Sequence, residues 1–186
     1  MGDLAGSAPL AAECADLRVV EHAAGLARAA RAAGVRVVHA VIEHRADGVG
    51  SAVNTPFLAA MAKHASPVVQ GTPGADLVPE LGPDTADVVC RRTHGVTPFT
   101  STDLDQVLRN LGVRTIVVVG VSLNEALLGL CTAAADLGYR IVLPTDAVAG
   151  VPRSFSEQIL QHSYRLLATL TTTDAIVDAW ATASRF

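Results

Sequence analysis

The chain has 186 residues, a formal net charge of -4 at pH 7, 50 % hydrophobic residues and 4 % aromatic residues. This length favours a single domain with a substantial core, and the acidic balance and few aromatic side chains argue against a nucleic-acid partner. No uninterrupted apolar segment has the roughly 20 residues of a membrane-spanning helix, so we also expect no membrane partner. The cysteines are Cys14, Cys90 and Cys131. They are far apart and odd in number, which favours a reducing cytoplasm over a disulfide framework.

The pattern of apolar, β-branched and turn-forming residues predicts strands that alternate with helices. In chain order these are a loop over 1–16, a helix over 17–33, a strand over 35–42, a short helix over 57–65, a turn over 70–75, a strand over 87–90, a helix from 102 or 103 to 111, a strand over 115–119, a helix over 124–137, a strand over 140–143, a helix over 154–167, an edge strand over 168–171 and a helix over 174–183. Gly34 and Gly112 stand where helices should end. This order predicts an α/β fold, a three-layer α/β/α sandwich with a mainly parallel, doubly wound sheet.

The segment from Arg114 to Leu137 is the first place to look for a site. Its apolar, β-branched run over 115–119 has no polar side, as in a parallel strand that is covered on both faces. We expect Gly120 to end this strand, and Asn124 and Glu125 to supply a cap and a favourable charge at the start of the next helix. In open parallel sheets, functional groups gather at the carboxyl ends of the strands.

Several stretches carry a family resemblance. They are Gln70-Gly71-Thr72-Pro73-Gly74-Ala75 with Pro79-Glu80-Leu81, Phe99 with Thr102-Asp103-Leu104-Asp105, Gly120-Val121, and Asp136-Leu137-Gly138-Tyr139 leading to Asp146-Ala147. In order and spacing, from about residue 17 to the end, they resemble the isochorismatase-like hydrolase superfamily, which includes cysteine hydrolases such as nicotinamidase and N-carbamoylsarcosine amidase. The resemblance implies one isochorismatase-like domain over 1–186, a homodimer or higher homo-oligomer, and a small-molecule substrate. It also implies a catalytic Asp, Lys and Cys at the strand ends.

The resemblance puts the family's nucleophile at Ala126, where this chain has a methyl group. In cysteine members a thiolate attacks an amide carbonyl, whereas isochorismatases cleave a vinyl ether without a cysteine nucleophile. Cys131 lies five residues further on, which turns a helical side chain by roughly 140° and moves it by roughly 7.5 Å. We therefore expect Cys131 to be buried packing.

The family's lysine position falls on Arg92, or on Arg91 or Thr93 if the alignment shifts by one residue. The chain's one lysine, Lys63, precedes the Gly-Thr-Pro-Gly turn and lies in the wrong place. Arginine can hold an anion or a developing oxyanion but cannot readily exchange a proton. Two interpretations stay open: Arg92 serves the site in this way, or one of the two arginines pairs with a surface carboxylate.

The family's aspartate belongs at the end of a first strand, and nothing before Leu17 can form a buried, β-branched strand. We therefore expect that the first family strand is missing and that the chain starts at an internal methionine of a longer native form. Asp3 lies in the predicted loop and should be solvated.

Other polar residues near the predicted site have alternatives that stay open. Glu43 and His44 follow a strand and face the expected pocket, without the further histidines that a metal site would need. His94 could donate to a substrate or act as an acid or base, or bond to the backbone as an ordinary loop histidine. Glu125 could orient a water or merely favour the helix dipole. We expect no metal.

The remaining motifs exclude several enzyme classes. Ser122 stands in Gly-Val-Ser-Leu-Asn, which lacks the second glycine of a serine nucleophile elbow. The chain has no dinucleotide-binding or nucleotide-phosphate motif, so we expect no cofactor. His39 should be a satisfied core residue. The three histidines expected on helix surfaces are His22, His64 and His162.

The resulting hypothesis is a family hydrolase that acts on a small amide, carbamoyl compound or vinyl ether without a cysteine nucleophile. Arg92 would stand at the lysine position and Ala126 at the nucleophile position. The expected substrate pocket comprises Ser122, Asn124, Glu125, His94 and Glu43. The alternative is a catalytically silent relative that binds a small ligand or serves as a subunit of an assembly.

Overall fold

The computed structural model describes residues 7–63, 68–100 and 102–183. The helices are α1 (Ser7–Asp16), α2 (Val19–Ala32), α3 (Pro56–Lys63), α4 (Leu104–Asn110), α5 (Leu128–Asp136), α6 (Arg153–Ile159), α7 (Arg165–Leu167) and α8 (Thr173–Ala183). The strands are β1 (Val38–Ile42), β2 (Val88–Arg92), β3 (Thr115–Val117), β4 (Gly120–Val121), β5 (Arg140–Pro144), β6 (Val148–Ala149) and β7 (Thr169–Thr171). Pro73–Ala75 and Pro79–Leu81 form 3-10 turns, and π-helical turns over Leu123–Leu127 and Leu160–Tyr164 lead into α5 and α7.

The described strands form three parallel sheets. β1 pairs with β2, β5 lies between β3 and β7, and β4 pairs with β6. All of these pairs run parallel, as expected of strands joined by helical connections, and the α/β class predicted from the sequence is confirmed. The register places Ile42 beside Arg92, so the carboxyl ends of β1 and β2 coincide.

One apolar core joins these sheets. It contains Cys90 of β2, Val118 after β3 and Leu143 of β5, together with apolar residues of α4 and α5. The Tyr164 side chain is fully buried in it, and its hydroxyl donates to the carbonyl oxygen of Leu123 at 2.6 Å. That hydrogen bond fixes the turn after β4 to the helical segment that precedes β7.

Two predictions about local structure are wrong. Residues 7–16 form α1 instead of a loop, because its alanines favour helix and Pro9 stands in the first turn, where it has no helical N–H partner to lose. Arg153 also donates to the carboxylates of Glu13 and Asp16, at 2.6 and 3.3 Å. Gly120 does not end a strand. It begins β4, with a φ of 111°, because its amide donates to the carbonyl of Ala147 and so continues the pairing towards β6.

The other predicted elements agree with the structure, with shifted ends. The helices predicted over 17–33, 154–167 and 174–183 and the edge strand over 168–171 are all present, and Gly34 and Gly112 have the positive φ values of helix-ending glycines. The last residues of the helix predicted over 57–65 lie outside the described part. The prediction that the first family strand is missing also concerns residues outside the described part, and it stays a prediction.

A buried charge cluster ties the amino ends of β1 and β2 to α2. Asp87 has a side chain only 3 % exposed and accepts hydrogen bonds from Arg31, at 2.6 and 3.1 Å, and from His39 Nε2 at 2.9 Å. The prediction that His39 is a satisfied core residue is therefore confirmed. Arg31 in the first place, and His39 after it, hold the pKa of Asp87 well below its ordinary value of 3.8.

We predict that Asp87→Asn lowers the free energy of unfolding at pH 7 by roughly 1–3 kcal/mol, because a buried hydrogen-bonded charge is lost. A depressed native pKa stabilises the fold above the unfolded pKa and loses that effect as the pH falls. The difference between variant and wild type should therefore be complete above about pH 5 and shrink in more acidic solution, as the pH passes the ordinary pKa of 3.8. Urea titrations across this range measure it.

Asp47→Asn is the matched control. Its carboxylate also pairs with an arginine, Arg45, but both side chains are about half exposed, so solvent screens the pair. This variant should unfold like the wild type at every pH. An equal effect at both positions, or none at Asp87, would contradict a structural role for the buried cluster.

Candidate functional site

The carboxyl ends of β1 and β2 hold an ion pair between a buried carboxylate and a half-exposed arginine. Glu43 follows β1 directly and is 6 % exposed. One of its carboxylate oxygens accepts from Arg91 Nη1 at 2.9 Å and the other from Gln70 Nε2 at 3.1 Å, while its amide donates to the carbonyl of Arg92. Glu43 therefore has a cation and an amide of its own chain on its two oxygens. Gln70 comes from the Gly-Thr-Pro-Gly turn and was not among the site residues predicted from the sequence.

Arg92 lies next to this pair but makes a different set of contacts. Successive side chains of a strand point to opposite faces, so Arg92 leaves the strand on the face away from Arg91. It is 7 % exposed, and its Nη2 donates to the carbonyl of Val96 at 3.1 Å. Among the described residues, its Nε has no hydrogen-bond partner, and no carboxylate lies within 4 Å of its guanidinium group. Burial lowers the pKa of Arg92.

This geometry separates the two arginines. Of the two arginines, Arg91 is the one that pairs with a carboxylate, although its partner Glu43 is buried and does not lie at the surface. Arg92 is a buried guanidinium without such a partner among the described residues, which is costly unless another group compensates its charge. A role for Arg92 at the lysine position stays a prediction.

Two further buried polar atoms lie at the same edge. They are His44 Nδ1, just after β1, and Thr97 Oγ1, in the segment after β2. With Arg92 Nε, they are the buried side-chain nitrogens and oxygens without a hydrogen-bond partner in the part of the chain that the structure describes. Buried polar groups are normally satisfied, so their concentration at one edge marks this edge as a place for a ligand.

The segment that carries Thr97 packs on the helix that carries Ala126. A Cβ placed on Gly129 would lie 3.4 Å from Thr97 Cβ. Ala126 lies three residues before Gly129, in the π-helical turn that leads into this helix. Ala126 is partly buried against the core. Exposed Thr93 and His94 lie between Arg92 and this contact.

The turn after β4 is fixed by hydrogen bonds to the segment after β6. Asn124 Nδ2 donates to the carbonyl of Val151 at 2.7 Å, and its Oδ1 accepts from the Ser156 hydroxyl at 3.1 Å. The prediction that Asn124 caps the helix is wrong, because Asn124 lies inside the π-helical turn and bonds to a distant segment. Ser122 holds the cap position and makes no side-chain capping bond.

Gly150 makes this arrangement possible. A Cβ at this position would lie 2.5 Å from Asn124 Oδ1 and 2.8 Å from Ser156 Oγ, so a larger residue would push these side chains apart. Ser156 and Gly150 are far from Asn124 in sequence, and no local pattern indicates either role. The Ser122 hydroxyl donates to the carboxylate of Glu125, which therefore has a partner within its own turn.

The three thiols lie in environments that disfavour the reactive thiolate. Burial raises the pKa of Cys131 to about 12, as expected for a fully buried packing residue. Cys90 is 2 % exposed, and burial, followed by the neighbouring charge of Asp103, raises its pKa. Burial and Glu13 raise the pKa of half-buried Cys14. Reactive cysteines have lowered pKa values, so none of these environments is that of an activated nucleophile.

Two cavities of the structure, and several other residues singled out in the sequence, lie away from this edge. A cavity of about 320 Å³ at the amino ends of β3 and β5 is lined by Arg109, Arg114 and Arg140, and one of about 210 Å³ lies at the amino ends of β1 and β2. His162 is exposed, and His22 has a side chain that is 35 % exposed and lies near Thr173, so both lie at the surface as predicted. Asp3 and His64 fall outside the described residues.

Neither a metal cluster nor a membrane-spanning helix occurs in the ranges that the structure describes. No group of three or more His, Cys, Asp or Glu side chains there could hold a metal ion. None of the helices there has both the length and the apolar character needed to cross a bilayer.

Comparison with known proteins identifies the family. Residues 6–175 match the isochorismatase domain. The chain belongs to the isochorismatase family. An isochorismatase family protein from Desulfovibrio vulgaris has the same fold, with a TM-score of 0.77 and 31 % identity over 88 % of this chain and 84 % of that one. The superfamily and fold predicted from the sequence motifs are thereby confirmed.

Two relatives are named for hydrolytic activities. Streptothricin hydrolase from Streptomyces noursei is 33 % identical over 132 residues, which are 71 % of this chain and 41 % of that protein. Maleamate amidohydrolase from Pseudomonas putida is 30 % identical over 133 residues, 69 % of this chain and 59 % of that protein. The isochorismatase-family chain thus spans about half the length of these relatives. Its oligomeric state and cytoplasmic location stay predictions.

We predict that thiol-alkylating reagents distinguish the cysteines of the folded protein. At pH 8, iodoacetamide should modify Cys14 faster than Cys90 or Cys131, because the latter two are buried and their thiolates are disfavoured. Peptide mass spectrometry after timed labelling measures the three rates, and urea-unfolded protein provides the control in which all three react. Labelling of Cys90 or Cys131 at the rate of Cys14 in folded protein would contradict this description of their environments.

Proposed function

We propose that this isochorismatase-family chain hydrolyses a small amide, or a related carbamoyl or vinyl-ether compound, without a cysteine nucleophile. The observation that carries the proposal is the buried Arg92 guanidinium, with an unpartnered Nε, at the edge where we place Ala126 in the nucleophile position. The raised pKa values of Cys90 and Cys131 support a route that does not use sulfur. The names of streptothricin hydrolase and maleamate amidohydrolase support hydrolysis as the reaction class.

In this proposal a water molecule replaces the thiolate as nucleophile. Glu125, at the start of the helix and beside Ala126, accepts a proton from that water, and Ser122 holds the carboxylate in place. Arg92 stabilises the negative charge that develops on the substrate, since a guanidinium stays protonated and donates in a fixed geometry. For an amide, water adds to the carbonyl carbon, the C–N bond breaks, and the nitrogen leaves as ammonia with the transferred proton.

A catalytically silent relative is the second candidate. It is favoured by the hydrogen bonds that occupy Asn124 and Ser122 within the chain, because these groups are then less available to a substrate. The two candidates differ in turnover, so an assay of product formation separates them.

We predict that the protein releases ammonia from maleamate or from a member of a panel of small amides, and that treatment with iodoacetamide leaves the rate unchanged. Glu125→Gln should lower kcat by roughly 10²–10⁴-fold, because the proton acceptor is lost. Glu157→Gln, an exposed glutamate of α6, is the matched control and should retain the wild-type rate. Turnover that alkylation abolishes would contradict the sulfur-free route.

Ala126→Cys tests whether the silent relative is the better description. If the wild-type chain is inactive on the whole panel and on isochorismate, and this variant gains amide hydrolysis that alkylation removes, the fold holds a cysteine-hydrolase pocket that lacks its nucleophile. That result would contradict the proposed activity.

A further inference from the structure

We infer that Arg92 binds a carboxylate of the substrate, so that this site selects small amides that carry an ionised carboxyl group over neutral amides. The inference rests on the proposed hydrolysis at the same site and adds the class of substrate. It gives Arg92 a role in substrate recognition, in addition to its proposed role of stabilising the negative charge that develops during the reaction.

The charges at the carboxyl ends of β1 and β2 do not balance. The charged side chains of the described residues that end these two strands or follow them directly are Glu43, Arg91 and Arg92. Glu43 uses its two oxygens on Arg91 and Gln70, which leaves the buried charge of Arg92 without a counter-charge among the described residues. An uncompensated buried cation is strongly unfavourable, and a ligand anion removes that cost.

The guanidinium group of Arg92 has the geometry that a carboxylate needs. Nη2 uses one of its two N–H groups on the carbonyl of Val96, and Nε donates to no acceptor among the described residues. In a guanidinium group the Nε–H and one Nη2–H lie on the same edge of the plane, the edge that carboxylates bind with two parallel hydrogen bonds. A monoanionic carboxylate also matches the single charge that is left over, whereas a phosphate dianion would leave one negative charge uncompensated.

Two further polar atoms at this edge of the fold can serve the rest of such a ligand. His44 Nδ1, after β1, and Thr97 Oγ1, after the strand that ends in Arg92, are buried and have no hydrogen-bond partner among the described residues. A hydroxyl and an imidazole nitrogen can each bond to a further polar atom of a small ligand. The same edge therefore offers a cation for one end of the ligand and neutral polar groups for the rest.

The experiment compares two amides that differ in one charge, succinamate and succinamide, and uses succinate as a binding probe that contains no amide. The wild-type protein should hydrolyse succinamate with a kcat/KM at least about tenfold above that of succinamide, the effect of a charge-assisted hydrogen bond. Arg92→Met should abolish this preference, and Arg92→Lys should retain part of it, since lysine keeps the charge and loses the two-point geometry. Arg114→Met removes an exposed arginine at the opposite edge and should leave the preference unchanged.

Thermal unfolding supplies the second measurement and does not depend on turnover. Succinate should raise the Tm of the wild type and of Arg114→Met but not that of Arg92→Met. Without succinate, Arg92→Met should melt at or above the wild-type temperature, because it removes a buried charge that lacks a partner.

Three outcomes would overturn the inference. They are equal kcat/KM values for the two amides in the wild type, a charge preference that survives Arg92→Met, and a ligand-free Arg92→Met protein that fails to fold or melts well below the wild type. The last would mean that a carboxylate of the chain itself compensates Arg92. If neither amide is hydrolysed but succinate stabilises the protein through Arg92, the binding role stands and the proposed hydrolysis fails.

Discussion

Two adjacent arginines end one strand, and the charge of only one of them is compensated by a carboxylate of the described residues; this difference determines the character of the site. Parallel pairing of β1 and β2 places Arg91 beside Glu43, and the alternation of side chains sends Arg92 to the opposite face. Both arginines are thus fixed by the backbone, and the difference between them follows from what each face offers. Arg91 finds a buried carboxylate, while Arg92 finds one carbonyl oxygen.

The helix start that carries Ala126 is held in place by other contacts. The Nδ2 and Oδ1 atoms of Asn124 both form hydrogen bonds with the segment after β6, and Gly150 leaves the space that these contacts need. Tyr164 adds a buried hydrogen bond to the same turn. The position that we assign to the family's nucleophile therefore has a well-defined backbone. Such a scaffold can position a water molecule as well as a thiol.

The sequence was sufficient for the class of fold and for most elements, because β-branched runs, helix-ending glycines and the family motifs are local signals. It was insufficient where structure depends on distant partners. α1 is stabilised in part by Arg153, and the two-residue strands β4 and β6 are too short to leave a periodic pattern. The cap assigned to Asn124 failed because a backbone carbonyl 27 residues away in sequence competes for its amide.

For the candidate site, too, some features could be predicted from the sequence and others could not. Motif spacing singled out Arg92 and Ala126. The structure adds what spacing cannot give, namely that Arg92 is buried and that no carboxylate of the described residues pairs with it. Which of two neighbouring arginines is neutralised depends on where Glu43 and Gln70 lie in space. Their contacts cross from one strand or turn to another, so no single segment encodes them.

Measuring the mass of the protein during turnover is the most direct test of whether the proposed hydrolysis proceeds without a cysteine nucleophile. The protein is mixed with an amide that it hydrolyses, and the reaction is quenched in acid within one turnover. The intact mass is then measured, and peptide mapping locates any modified residue. We expect the mass of the unmodified chain at every time point. A transient increase equal to the acyl group, mapped to Cys90 or Cys131, would contradict a route without sulfur.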